Sequence, residues 1–223
     1  MKNEEKKKKR KPLFSLEYLP FDFVRITAAP GLLWFRPKII YESEAAKRKI
    51  RGGALLISNH IGLFDPMYLM MAVWYRRHRF ICKKELMEHR LGFWLKLFRC
   101  ISIDKNDMSF NSMRQVTDAL RSGELVSMFP EGQVSLQSEA PAGFKSGMIL
   151  MSLQGNAPII PAYIKPRKHF YSRLVVVIGE RFSVTDEYGP RPKFSQLDEA
   201  AARLHETDIR LAKLAEGKER TGK

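Results

Sequence analysis

His60 and Asp65, a histidine and an aspartate five residues apart, are the residues whose types and spacing best suit catalysis. A neutral imidazole can take a proton from a hydroxyl or an amine, and a carboxylate on its other nitrogen fixes the tautomer and stabilises the imidazolium. No serine or cysteine of the nucleophile-elbow type accompanies them, so the nucleophile would come from a substrate. Each residue also has a purely structural interpretation. An aspartate before a proline, as in Asp65-Pro66, is typical of a helix N-cap, and His60 could be a histidine that only makes structural hydrogen bonds.

Short apolar runs alternate with helical patterns from residue 50 onward, and this alternation predicts an α/β fold. The predicted strands are residues 54–58, 80–83, 101–104, 125–129, 158–164 and 174–178. The predicted helices are residues 66–75, 85–98, 110–122, 146–154 and 196–215. Such alternation is typical of a mostly parallel sheet with helices on both faces.

Loops with polar and ionisable side chains that could take part in catalysis follow three of the predicted strands. They are residues 58–65, 102–105 and 129–133. Because the carboxyl ends of parallel strands meet at one edge of a sheet, these loops are expected to converge there, where ligands bind in such folds.

Composition narrows the class of protein and of partner. With 223 residues, 44% of them hydrophobic, the chain can form a packed domain and is not a mainly disordered protein. Two cysteines exclude a disulfide-dense scaffold and leave too few thiols for a structural zinc site. A net charge of +15 predicts an anionic partner: nucleic acid, a membrane surface, an acidic protein or a phosphorylated substrate.

The N-terminal residues suggest that this partner is a membrane. Residues 1–12 are predicted to be a basic tail, since the first eleven contain seven Lys or Arg and two Glu, a net charge of +5. Residues 13–45 mix aromatic, basic and apolar side chains, as a helical segment lying in the membrane interface does. The alternatives are a solvated tail and aromatic residues that pack on the following domain, predicted to span residues 46–223.

Four sequence blocks occur in the order and spacing of a known family. They are Asn59-His60 with Asp65, Ile103-Asp104-Lys105, Phe129-Pro130-Glu131-Gly132, and Pro158 to Pro161. Together, over about residues 50–180, they resemble the glycerolipid acyltransferases, whose best-known members are the 1-acyl-sn-glycerol-3-phosphate (lysophosphatidic acid) acyltransferases. The pairing of the first block with the third is the specific part of the resemblance.

The resemblance implies acyl transfer from a thioester to a lysophospholipid hydroxyl. His60 would be the general base and Asp65 would orient it, with an acyl carrier protein or coenzyme A thioester as the acyl donor. The implied substrate-binding residues are Asn59, Lys105, Phe129, Pro130, Glu131, Gly132 and Lys145. Such transfer needs no metal and no bound cofactor, and backbone N–H groups in the turn at 130–133 would stabilise the oxyanion.

Two departures from the family pattern leave the acceptor open. Lys105 and Val134 occupy positions where the family usually has arginine, and Lys145 is the residue nearby that could compensate. Lysophosphatidate is the leading acceptor, and the alternatives are another lysolipid, an amino lipid or a glycolipid. A catalytically inactive membrane-binding protein is a further alternative. A nucleic-acid partner is not expected, because the sequence contains no nucleic-acid-binding motif. The protein is expected to be a peripheral membrane protein on the cytoplasmic face.

Overall fold

The computed structural model describes residues 18–27, 30, 37–90, 92–103, 110–130, 146–167, 169 and 172–220. The strands within these residues are β1 (Lys38–Tyr41), β2 (Ala54–Ser58), β3 (His78–Lys83), β4 (Ile101–Ile103), β5 (Leu125–Met128), β6 (Ile159–Ile164) and β7 (Val175–Ile178). The helices are α1 (Leu19–Thr27), α2 (Asp65–Ala72), α3 (Lys84–Glu88), α4 (Gly92–Leu97), α5 (Phe110–Arg121), α6 (Ser146–Gly155), α7 (Val184–Tyr188) and α8 (Phe194–Arg220).

The strands form a single seven-stranded sheet in the order β1-β7-β6-β2-β5-β3-β4. Strand β2 is central and runs parallel to both of its neighbours, β5 and β6. The β6–β7 pair is antiparallel, so β7 and its parallel partner β1 run opposite to the other five strands. The prediction of a mostly parallel sheet is therefore confirmed.

Both faces of the sheet are covered, and β2 shows why. All five of its residues are buried, as expected for a central parallel strand. Leu55 and Ile57 pack in a cluster with residues of α5, α6 and α8, whereas Ala54 and Leu56 pack on the other face with residues of α2. The alternation of side chains along the strand thus builds two cores. Gly53 precedes the strand at a point of close approach, where an added Cβ would lie 2.0 Å from the Leu120 carbonyl oxygen.

Some elements differ from the sequence prediction. The prediction of a single helix over residues 85–98 is wrong, because α3 and α4 are two separate helices and the backbone of His89 between them is extended. Gly92 permits the break, because a Cβ there would lie 1.9 Å from the Met87 carbonyl oxygen. Helix α7 was not predicted, although Ser183 accepts a hydrogen bond from the Asp186 N–H and Gly189 ends the helix at φ 79°.

The N-terminal segment predicted over residues 13–45 contains one described helix and one strand. Helix α1 is fixed to the domain by Phe21, which is 4% exposed, and by an ion pair between Asp22 and Arg77. The last residues of the segment form β1, which pairs with β7, so they are part of the sheet. No helix in the part of the chain that the structure describes is long and apolar enough to cross a membrane.

Candidate active site

Strand β2 delivers His60 to the carboxyl edge of the sheet. Beyond the strand, the Asn59 side chain continues the pairing with β6: its Nδ2 donates to the Ile164 carbonyl at 2.9 Å, and its Oδ1 accepts from the Ile164 N–H at 2.7 Å. Asn59 is 8% exposed, so these two bonds satisfy buried polar groups and fix the backbone just before His60. A substrate-binding role for Asn59 stays a prediction.

His60 and Asp65 form a hydrogen-bonded dyad. The Nδ1 of His60 lies 2.7 Å from the Asp65 Oδ2, and the Asp65 side chain is completely buried while the His60 side chain is 20% exposed. A carboxylate can only accept, so the proton is on Nδ1 and the Nε2 atom of His60 is the basic nitrogen. The two side chains are therefore arranged as proton abstraction by a histidine paired with a carboxylate requires.

The N-cap interpretation of Asp65 is wrong. Helix α2 begins at Asp65 itself, and Phe64, the capping residue, makes no side-chain cap bond. The Asp65 Oδ2 instead accepts the backbone N–H groups of Ile61 at 2.6 Å and Gly62 at 2.8 Å, both upstream of the helix. These two bonds hold the carboxylate rigidly toward His60, while its Oδ1 meets no donor among the described residues.

A stack of aromatic rings supports the imidazole of His60 from the β5 side. The rings of His60 and Phe129 are 4.4 Å apart at an interplanar angle of 19°. Phe129 in turn stacks on Phe80, and Phe80 on His78, with centroid distances of 6.4 and 5.5 Å. Burial lowers the pKa of His78 from 6.5 to about 4, so this imidazole is neutral at neutral pH. The imidazole of His60 is thus fixed by a carboxylate at one nitrogen and by an aromatic ring against its face.

The other residues predicted for the site are only partly described. Phe129 and Pro130 follow β5, which is the neighbour of β2, and they lie at the same edge as His60. Lys105, Glu131, Gly132 and Lys145 lie outside the described residues. Strand β4, which precedes Lys105 in the sequence, is the third strand from β2, so about 14 Å separates the two strands.

Arg167 and Tyr68 lie at this edge and were not identified from the sequence. Tyr68 is on α2, one turn after Asp65, and is 7% exposed. The Nη2 of Arg167 donates to the Tyr68 hydroxyl, and its guanidinium lies over the Tyr68 ring, 4.9 Å from the centroid. Burial raises the pKa of Tyr68, so the phenol is neutral. The feature of the sequence that points to Arg167 is the run of basic residues that follows the strand predicted over residues 158–164.

Apolar side chains surround the mouth of the site. Leu63 and Phe64, in the loop between the two dyad residues, are 76% and 54% exposed. Large apolar side chains left in water on one loop usually mark a contact with lipid, ligand or protein. No group of three His, Cys, Asp or Glu among the described residues is placed to hold a metal ion.

Comparison with known proteins gives a consistent set of similarities. The 1-acyl-sn-glycerol-3-phosphate acyltransferase of Bacillus subtilis is 25% identical over 140 residues, which are 60% of this chain and 69% of that protein. The protein of the same name from Streptococcus pneumoniae is 27% identical over 109 residues, 48% of this chain and 39% of its own length. In fold, the chain is similar to the crystal structure of the 1-acyl-sn-glycerophosphate (LPA) acyltransferase from Thermotoga maritima, with a TM-score of 0.63 and 17% identity over 90% of this chain and 81% of that one.

The profile of the acyltransferase family, described simply as "Acyltransferase", matches residues 38–165. The match begins at the first residue of β1 and ends just after β6, so it contains the His60–Asp65 dyad and the strands that position it. Since the matched region is more than half of the sequence, the chain belongs to the acyltransferase family.

Proposed function

We propose that this protein transfers a fatty acyl group from an acyl thioester to the free hydroxyl of a lysophospholipid, with 1-acyl-sn-glycerol-3-phosphate as the leading acceptor. The observation that carries the proposal is the dyad, in which a buried carboxylate holds Nδ1 of His60 at 2.7 Å and directs Nε2 toward the partly exposed edge of the sheet. This arrangement suits a general base whose nucleophile belongs to a substrate.

The reaction needs one proton transfer and one acyl transfer. Nε2 of His60 takes the proton of the acceptor hydroxyl as its oxygen attacks the thioester carbonyl, and Asp65 stabilises the imidazolium that forms. When the tetrahedral intermediate collapses, the carbon–sulfur bond breaks and the imidazolium returns its proton to the thiolate. The products are the acyl ester and the free thiol. Backbone N–H groups after Pro130 are the proposed donors to the oxyanion.

The choice of acceptor is supported by the names of the relatives and by the surface of the site. Both curated relatives compared above are named 1-acyl-sn-glycerol-3-phosphate acyltransferases. The exposed Leu63 and Phe64 beside the dyad favour a lipid substrate over a water-soluble one. We assign the acceptor head group to Lys105, Glu131, Gly132 and Lys145, and the acyl donor to an acyl carrier protein or coenzyme A thioester.

We further propose that the protein binds an anionic membrane surface from the cytoplasmic side, as a peripheral protein. Helix α1 supports this placement, because Leu19, Phe23 and Ile26 are each at least 60% exposed and recur at helical spacing. Residues 1–11, with a net charge of +5, would add electrostatic attraction.

Acyl transfer by the purified full-length protein tests the proposal. The wild type and the His60→Ala variant are supplied with lysophosphatidate, other lysophospholipids, an amino lipid or a glycolipid acceptor, each with a coenzyme A and a carrier-protein thioester. We expect turnover that His60→Ala reduces by at least about 100-fold, since general base catalysis contributes about 100- to 10,000-fold. Near wild-type turnover by His60→Ala would refute the mechanism, and no turnover with any pair would favour a catalytically inactive membrane-binding protein.

A further inference from the structure

Arg167 belongs to a basic connection that starts beside the dyad. It lies between β6 and β7, three residues after Ile164, the residue whose backbone pairs with Asn59. Because β6 is the direct neighbour of β2, the connection begins at the edge of the sheet that carries His60. In sequence, residues 165–173 contain two lysines, two arginines and a histidine, and neither Asp nor Glu. The family match ends at residue 165, before Arg167.

Tyr68 holds the Arg167 guanidinium in place. The phenol accepts one hydrogen bond from it and the ring supports its plane at 4.9 Å, while Arg167 remains half-buried. Burial raises the pKa of this phenol, the charge of Arg167 lowers it, and the charge of Asp65 raises it. Lys165 differs, because its Nζ turns to the carbonyl of Ala215 on α8 at 3.4 Å. Arg167 is therefore a basic side chain of this connection that contacts α2.

A positioned guanidinium at this edge is suited to a phosphate. Its planar fork binds phosphate oxygens in pairs, and side-chain entropy already lost against Tyr68 need not be lost again on binding. This chain also lacks one basic residue after β5, since Val134 stands where arginine is usual in sequences that it resembles. We propose that Arg167 is a phosphate-binding residue of this active site, an inference that rests on the proposed function because that function supplies phosphorylated substrates.

Two phosphates are available in that reaction, and the position of Arg167 favours one of them. In lysophosphatidate the phosphate is only a few bonds from the reacting hydroxyl. In the donor, the phosphate lies at the far end of the pantetheine arm, well away from the thioester. Arg167 contacts Tyr68, which is one turn of α2 beyond Asp65, the residue that pairs with His60, so we expect its ligand to be the more distant phosphate, that of the donor. Coenzyme A and the prosthetic group of acyl carrier protein share this phosphate.

Steady-state kinetics of the full-length protein test the inference, with Arg167→Ala and Arg167→Lys compared with the wild type. Donors are an acyl coenzyme A and the same acyl group on pantetheine, which has no phosphate; acceptors are lysophosphatidate and monoacylglycerol. For Arg167→Ala we expect the KM for acyl coenzyme A to rise about tenfold, which corresponds to one charge-assisted hydrogen bond, with kcat within about twofold. The KM for acyl-pantetheine should not change. Arg167→Lys, which keeps the charge without the fork, should show a smaller rise and also serves if the alanine variant does not fold.

Two matched variants complete the test. Arg181→Ala removes an exposed arginine at the opposite edge of the sheet, where Arg181 contacts the carbonyls of Arg48 and Lys49, and should leave every KM unchanged. Tyr68→Phe keeps the ring but removes the hydroxyl that positions Arg167, and should raise the same KM by less than Arg167→Ala does.

The outcomes separate this inference from the proposed function. A KM rise confined to lysophosphatidate would support the phosphate role and assign it to the acceptor. The inference would be overturned if the KM values for both phosphorylated substrates did not change, or if the KM rose equally for substrates with and without a phosphate. Neither result would contradict the proposed acyl transfer. Binding of free coenzyme A, measured by calorimetry, needs no turnover: if the wild type proved inactive but Arg167→Ala still weakened this binding about tenfold, the function would fall and the phosphate site would stand.

Discussion

Replacement of Asp65 by asparagine is the sharpest perturbation of the dyad. Asparagine keeps an oxygen that can accept from the backbone N–H groups of Ile61 and Gly62, but it removes the negative charge opposite His60. At the observed separation of 2.7 Å, and with an effective dielectric constant of about 20, a carboxylate stabilises a full imidazolium by about 6 kcal/mol.

The expected loss of rate follows from this energy. The imidazolium is only partly formed in the transition state, and the amide oxygen of asparagine retains part of the hydrogen bond. If about half of the stabilisation is lost, the barrier rises by about 3 kcal/mol, which lowers kcat by about 100-fold. The KM values should change little, since the charge acts on the transition state.

Initial rates of thiol release at saturating substrates give the measurement. Asp118→Asn is the matched control, because Asp118 is a 59%-exposed carboxylate paired with Arg114 on α5, and this variant should keep the wild-type rate. Thermal unfolding of Asp65→Asn should remain close to that of the wild type. A folded Asp65→Asn protein with kcat within about threefold of the wild type would refute the assigned role of the carboxylate.

Three further outcomes are expected. The pKa of His78 is about 4 in the folded protein and about 6.5 in the unfolded chain, so its contribution to stability is complete above pH 6.5 and is lost as the pH falls toward 4. The free energy of unfolding, measured in urea, should be about 2 kcal/mol lower at pH 5 than at pH 7.5, and a His78→Gln variant should lack this difference. Gly53→Ala, whose Cβ would meet the Leu120 carbonyl at 2.0 Å, should lower the free energy of unfolding by about 3 kcal/mol or more, whereas Gly62→Ala, with open space around its Cβ, should not. Deletion of residues 1–11 should weaken co-sedimentation with anionic vesicles, most strongly at low salt, and equal binding by the truncated protein would contradict the electrostatic role of the tail.

The central part of the fold was predictable because its physical signals are local and strong. The run Ala54 to Ser58 is apolar and short, and it forms the buried strand that its composition predicts. The loop that follows contains His60 and Asp65, and the parallel topology brings Phe129 beside them. Here the sequence pattern, the strand order and the chemistry agree, so the dyad could be predicted from residue types and spacing.

The elements that escaped prediction depend on contacts distant in sequence. Strand β1 is recognisable only through its pairing with β7, since its four residues lie within an aromatic segment that also suits a membrane interface. Tyr68 and Arg167 are 99 residues apart, and only the adjacency of β2 and β6 brings them together. The N-cap interpretation of Asp65 fails for a related reason: its carboxylate accepts from backbone N–H groups of the loop before the helix, and no local sequence pattern distinguishes this from a cap.

The stacked rings of His60 and Phe129 also make the dyad visible to spectroscopy. A proton that lies over the face of an aromatic ring is shielded by the ring current, and the centroids of these two rings are only 4.4 Å apart, with an interplanar angle of 19°. The carbon-bound imidazole protons of His60 should therefore resonate upfield of those of a histidine in water. Any ligand that tilts or displaces the imidazole would shift these signals, so ligand binding at His60 could be followed in the unlabelled protein without any turnover.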